Sequence, residues 1–282
     1  MRYATGIPMG VAKIDVCNPV RNKIMERRDF IQKSILTTAA VAGAGLGSST
    51  ARGAQNNKDV YEFRVYHMRR NISPLNNYLT NALIPALNRM GSKNVGVFSE
   101  LSKSEPAKMY VLIPYRSFED YGKTIRGLKT DKQYIEASGE YNKIPVDQAV
   151  YERYDSSLML AFDGVPNMVI PSKNQRLFEL RIYEGYSEDA LRRKVKMFNE
   201  GELNIFGKVK INPVFFGENI SGKGLPCLTY MSVYESMDAR DQAWKEFLAH
   251  PDWQKMSKMP EYANTVSKIH RIFLEPALYS QV

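Results

Sequence analysis

Two stretches of the chain set a carboxylate, a guanidinium and a phenol at alternate positions. They are Glu62, Arg64 and Tyr66 in Tyr61-Glu-Phe-Arg-Val-Tyr66, and Glu179, Arg181 and Tyr183 in Phe178-Glu-Leu-Arg-Ile-Tyr183. On a strand, side chains two and four positions apart share a face, so each trio projects as a set. Such a set can hold the polar atoms of a small organic molecule in a cavity. It also has a purely structural use, because a buried carboxylate and guanidinium must be paired in either case. The pattern alone does not separate the two. His67 follows the first trio directly, and an imidazole at a strand end suits a haem ligand or a proton carrier.

The other chemistry-bearing residues say less. His250 and His270 belong to no His-x-His or Glu-x-x-His pair, so a metal site is not expected. Cys227, in Leu225-Pro-Cys-Leu228, has no base near it in sequence and reads as an inert buried thiol. Cys17 lies far upstream in the leader, so the body must hold together by core burial without a disulfide. The body contains no Ser-His-Asp order, phosphate-binding loop or Cys-x-x-Cys. No cofactor is named by these residues.

What positions the two trios is a repeat. Besides the six-residue echo at an offset of 117, Asn94–Glu100 recurs as Asn212–Glu218 and Tyr115–Glu119 as Tyr234–Asp238. Asp131-Lys-Gln-Tyr134 aligns with His250-Pro-Asp-Trp253. In the first copy, alternation predicts a strand over 61–68, with Tyr61, Phe63, Val65 and His67 on one face and Glu62, Arg64 and Tyr66 on the other. Ser73-Pro74 predicts a helix start, and Pro85 a kink or split in that helix. Strands over 95–101 and 109–115, a helix capped by Ser117, and a strand over 150–160 follow. The second copy has strands over 178–183, 213–218, 228–234 and 269–274, a helix capped by Ser187, and another carrying Trp244, Phe247 and Leu248. The order β-α-β-β-α-β is the ferredoxin-like unit.

The expected class is therefore α+β, with two ferredoxin-like domains at 60–162 and 175–280 joined by a linker at 163–174. Each unit leaves one sheet face bare, and two such faces can be buried together as a barrel with helices outside. If Phe63, Val65, Leu180 and Ile182 pack on the helices, the two trios point between the sheets. His67 is then expected at the barrel mouth.

Composition fits this reading. The chain has 282 residues, 44% hydrophobic and 24% charged, and a net charge of +9. Residues 1–54 carry +5 of that charge, and the mild remainder does not make the clustered basic face of a nucleic-acid binder. Within those residues, Arg27-Arg28-Asp-Phe-Ile-Gln-Lys33 and a weakly apolar run from Ile35 to Leu46 resemble a twin-arginine export leader, cleaved near Ala51–Ala54. The run is too short and polar to span a bilayer. The expectation is an exported, periplasmic protein without a transmembrane anchor once the leader is removed, with Met25 as an alternative start.

The two opening strands, the Trp244 helix followed by His250-Pro-Asp-Trp253, and the tail Phe273–Ser280 resemble the NIPSNAP family. The first copy departs from it at its second helix, with Tyr121 and Tyr134 as the aromatics and Asp131-Lys132 for His-Pro. The resemblance implies a dimeric α+β barrel and brings no agreed catalytic residues. Three functions follow as expectations. One is a small-molecule-binding barrel using Glu62, Arg64, Tyr66, His67, Glu179, Arg181 and Tyr183. The second is a haem-dependent or cofactor-free monooxygenase or lyase, by analogy with related barrels. The third is a non-catalytic interaction module, as the family's animal members suggest. Homo-oligomers are compatible with all three.

Overall fold

The computed structural model describes residues 58–102 and 104–282. The expected leader, Cys17 and the Arg27-Arg28 pair lie outside the described residues. Among the described residues there are eight strands: β1 (Val60–Met68), β2 (Gly96–Glu100), β3 (Lys108–Tyr115), β4 (Tyr151–Ala161), β5 (Leu177–Glu184), β6 (Asn212–Ser221), β7 (Cys227–Tyr234) and β8 (Lys268–Pro276). They close into one antiparallel barrel in the order β1-β3-β2-β8-β5-β7-β6-β4. The halves meet at two seams, β2 against β8 and β4 against β6. This is the α+β barrel expected from the repeat.

Helices cover the outside. Leu75, Leu79, Leu83 and Leu87 recur at helical spacing and pack on Tyr66, Met68, Val97 and Val111 in the first half. Leu191, Phe198, Phe206 and Phe247 do the same over Tyr183, Phe216, Leu228 and Tyr230 in the second. Ser117, Ser187 and Ser236 cap their helices, accepting from the backbone N–H groups of Asp120, Ala190 and Ala239. Ser73 is not a cap. It is the first helical residue, and its own N–H donates to Asn71 Oδ1 at 2.9 Å. The helix widens to a π-type turn over Leu79–Leu83 and resumes at Ile84–Arg89, with Pro85 in the first turn of the resumed part. The second half has the same wide turn at Phe198–Glu202 with no proline in it, so the turn does not depend on Pro85.

The interior is a core of its own. Tyr61 and Phe63 from β1, Phe98, Tyr110 and Leu112, and Met159 meet Phe178, Leu180, Phe215, Met231 and Leu274 from the other half. The sequence reading had the faces of β1 and β5 reversed. Phe63, Val65, Leu180 and Ile182 point into the barrel, and the two Glu-x-Arg-x-Tyr trios point out beneath the helices. Both faces of each strand are buried, so alternation identified two sets without saying which was inner. The physical preference is clear in retrospect: a closed barrel interior far from water favours the set without charges.

One end of the barrel is plugged. Met168 from the segment after β4 and Val282 from the segment after β8 both pack into the interior core. Asp59 ties the first plug down, its carboxylate accepting from Met168 N at 2.9 Å and Asn167 Nδ2 at 3.1 Å. Because one core is built by both halves, Phe215→Ala, which removes a fully buried ring touching Tyr61 and Phe63, is expected to cost about 3–5 kcal/mol. Chemical denaturation should show it as one shifted transition for the whole body, not loss of the second half alone.

Candidate functional site

The outward trios are built as closed polar networks. In the first half Arg64 Nε and Nη2 donate to the two oxygens of Glu62 at 2.6 and 3.0 Å. Ser156 Oγ (2.9 Å) and Tyr115 OH (3.1 Å) complete that carboxylate. Tyr66 stacks on Tyr154 with ring centroids 5.0 Å apart. In the second half Glu179 accepts from Arg181 Nε at 2.8 Å, from Arg240 Nε and Nη2 at 3.0 and 2.8 Å, and from Trp244 Nε1 at 3.0 Å. The Arg181 guanidinium lies 3.7 Å from the centroid of the Trp244 ring. Tyr183 OH accepts from Arg181 Nη1 at 3.1 Å and shares a bond of 3.0 Å with Tyr230 OH. A third buried ion pair, Lys194 with Glu202 at 2.6 Å, lies in the same layer. Each of these buried carboxylates is paired and hydrogen-bonded, as a buried charge must be.

His67 is the one expected site residue on the inner face. The eight strands alternate in direction, so β1 and β5, four places apart, run the same way, and equivalent residues of the two halves sit at the same end. That end, opposite the plug, opens into a cavity of about 220 Å³. β1, β5 and β8 line it with apolar residues, Phe63, Val65, Leu180, Ile182 and Ile272. The wall of β4, β6 and β7 carries Ser157, Asn219 and Thr229, and the mouth carries His67, Lys108, Asp155 and Lys223. His67 Nε2 lies 2.8 Å from Asp155 Oδ2, and Lys223 Nζ lies 2.6 Å from Asp155 Oδ1. Burial would raise the Asp155 carboxyl, but hydrogen bonds from Lys223 and His67 hold it below the usual aspartate range. Tyr110 OH donates to Glu100, which also faces Lys108. Burial and that carboxylate push the Tyr110 phenol well above its ordinary range, so it stays protonated. Cys227 also lines the cavity; burial, then the Glu184 charge, raise its thiol to about 11, which keeps it a poor nucleophile.

The second half repeats the mouth pair with its types exchanged. Glu184 occupies the position of His67, and His270, opposite Ile182 on β8, that of Asp155, opposite Val65 on β4. Their contact is His270 Nε2 to Glu184 Oε1 at 2.6 Å. Among the described residues no group of three or more His, Cys, Asp or Glu is arranged to hold a metal ion. As a haem ligand His67 fits poorly: the cavity is smaller than the roughly 300 Å³ at which drug-sized sites begin, and Asp155 engages its Nε2.

Sequence reasoning missed Asp155, Ser157, Asn219, Thr229 and Lys223. Only strand register brings them beside His67, and a usable signal was the placing of Asp155 and Ser157 two apart on the expected strand over 150–160. The networks predict unequal costs. Arg64→Ala leaves Glu62 with no cation and should destabilise by about 3–5 kcal/mol, whereas Arg181→Ala leaves Arg240 on Glu179 and should cost less in the same denaturation assay. Burial would raise the Glu179 carboxyl, but hydrogen bonding from Arg240 and the charges of Arg181 and Arg240 hold it below its ordinary value. Its share of stability is therefore full above about pH 4.3 and lost as pH falls through the folded value. A pH series of melts should show a shallower acid loss in Glu179→Gln.

Comparison with known proteins agrees with the geometry at the level of fold. A candidate monooxygenase from Fusobacterium nucleatum matches 78% of this chain and 92% of its own, at 10% identity and a TM-score of 0.50. A similar candidate from Lactobacillus acidophilus matches 78% and 94%, at 11% identity and 0.48. An uncharacterized NIPSNAP-like domain protein from Burkholderia xenovorans matches 37% and 87%, at 22% identity and 0.33. No curated protein matches the sequence. The NIPSNAP family model matches residues 178–281, so it is the second half, from the Phe178–Tyr183 strand to the end of the tail, that carries a NIPSNAP domain.

Proposed function

We propose that the protein binds a small organic molecule in the barrel, between its two halves. The observation that carries this reading is the cavity itself: plugged at one end, open at the other, and lined by strands of both halves. Its make-up, a mainly aliphatic surface with a few polar groups, is that of a ligand site. At about 220 Å³ it suits a compact molecule with an apolar body and one polar end. The outward Glu62, Arg64, Tyr66, Glu179, Arg181 and Tyr183 act on this site from behind, by fixing the strands that form its walls. His67 touches the ligand. The Arg27-Arg28 leader supports placing this activity outside the cytoplasm, in the periplasm.

Native mass spectrometry of residues 55–282 purified from the host envelope tests the reading. A bound mass of a few hundred daltons or less is expected. Ile182→Trp, which fills the cavity from its apolar side, should abolish that mass while the melting temperature changes little. Retention of the same ligand by Ile182→Trp would move the site out of the barrel.

A further inference from the structure

Asn219 is a cavity residue with donors that no protein group takes up. It is 8% exposed, and its Oδ1 accepts from Thr229 Oγ1 at 2.8 Å. With Oδ1 accepting there, no protein group accepts from Nδ2, and the residue lines a wall of the cavity. Ser157, on the neighbouring strand β4, adds a hydroxyl to the same wall. These donors belong to a wall of the open cavity, where an oxygen with lone pairs can accept from them.

Across β4 from Asn219 stands a base. Asp155, held ionised by Lys223 and His67, can only accept, so His67 presents Nε2–H to it, and in the neutral ring the lone pair is on Nδ1. β1 and β6 flank β4, so His67 and Asn219 are two strand spacings apart, about 10 Å at the backbone. Their side chains converge on a cavity that holds only a compact molecule. A compact molecule whose oxygen is seated on Asn219 lies in the cavity that His67 also lines.

We propose that this site moves protons next to a carbonyl group: His67 is the general base, and Asn219, with Ser157, holds the carbonyl oxygen of a small, apolar ketone or ester. The inference rests on the reading that the cavity binds a small organic molecule. In the step, the α C–H bond breaks and its proton goes to His67 Nδ1. The electron pair forms the C=C bond of an enolate, and the charge on oxygen meets the Asn219 and Ser157 donors. The same proton returns from His67 to the α-carbon or to the far end of a conjugated enolate. No atom is gained or lost and nothing is oxidised. The exchanged pair Glu184–His270 leaves the second half without an equivalent base–donor arrangement.

The probe is cyclohex-3-en-1-one, whose conversion to cyclohex-2-en-1-one is read from the ultraviolet band of the conjugated product, with binding followed separately by saturation-transfer NMR. The body should bind the probe and accelerate conversion at least about 100-fold over buffer. His67→Gln should bind it and lose the acceleration, and Asn219→Leu should lose at least about tenfold. Ser157→Ala, a gentler change on the same wall, should lose less. His270→Asn should keep the full rate. Binding without acceleration, or acceleration that survives in His67→Gln, overturns the proton-transfer proposal and leaves the binding reading standing. Absence of binding overturns both for compact ketones.

Discussion

Each half of this protein has a sheet with helices on one side and nothing of its own on the other. Burying those two bare faces against each other is the constraint from which the rest follows. It closes eight strands into a barrel, and it leaves no position of β1, β3, β5 or β7 exposed, whichever way it points. Charges on such strands must then find partners among their own neighbours. Glu62 finds Arg64, Tyr115 and Ser156; Glu179 finds Arg181, Arg240 and Trp244. The inner face, with fewer neighbours able to satisfy a charge, is aromatic and aliphatic except at the open end. There, water is close enough for His67, Asp155, Lys108 and Lys223 to be tolerated.

Much of this was legible in the sequence. The echo of Tyr61–Tyr66 in Phe178–Tyr183 pointed to the duplication, and alternation located the strands to within about three residues, with Ser117 and Ser187 capping helices as expected. His67 was expected at the barrel mouth and is there. The two trios were found as sets but assigned to the wrong side. Strand periodicity has a period of two and no sign, so it cannot tell a charged face sealed by helices from one lining a cavity. Arg240 and Trp244 hold that sign, because a helix offering a guanidinium and an indole N–H needs a carboxylate beneath it, but nothing in the local spacing connects them to Glu179. The polar wall of the cavity was harder still. Asn219 and Thr229 lie on β6 and β7, Ser157 on β4, and their meeting depends on a seam between halves that no short stretch of sequence records.

The two halves have also drifted in how they fill the layer under their helices. The first uses hydroxylated rings: Tyr78 stacks on Tyr141 at 4.3 Å and bonds Tyr134 at 2.7 Å, and Tyr115 meets Tyr121 at 5.2 Å. The second uses Phe198, Phe206, Phe216, Phe247 and Trp244. Where the second half places Arg240 on its buried glutamate, the corresponding helix of the first places Tyr121 beside Tyr115, and Ser156 supplies the additional hydrogen bond. Beyond the arginine that each strand supplies, the carboxylate is completed once by a second guanidinium and an indole and once by hydroxyls.

The exchange of His67–Asp155 for Glu184–His270 has a consequence for how such a barrel can evolve. If two identical chains made the barrel, every residue at the mouth would appear twice, and a change that helped one side would be imposed on the other. Joining the halves through the segment after β4 removes that restriction. One side of the mouth is free to keep a histidine next to the cavity while its counterpart becomes a carboxylate. A single ligand then meets a site with a definite left and right, so it binds in one orientation where a symmetric mouth would offer two equal ones.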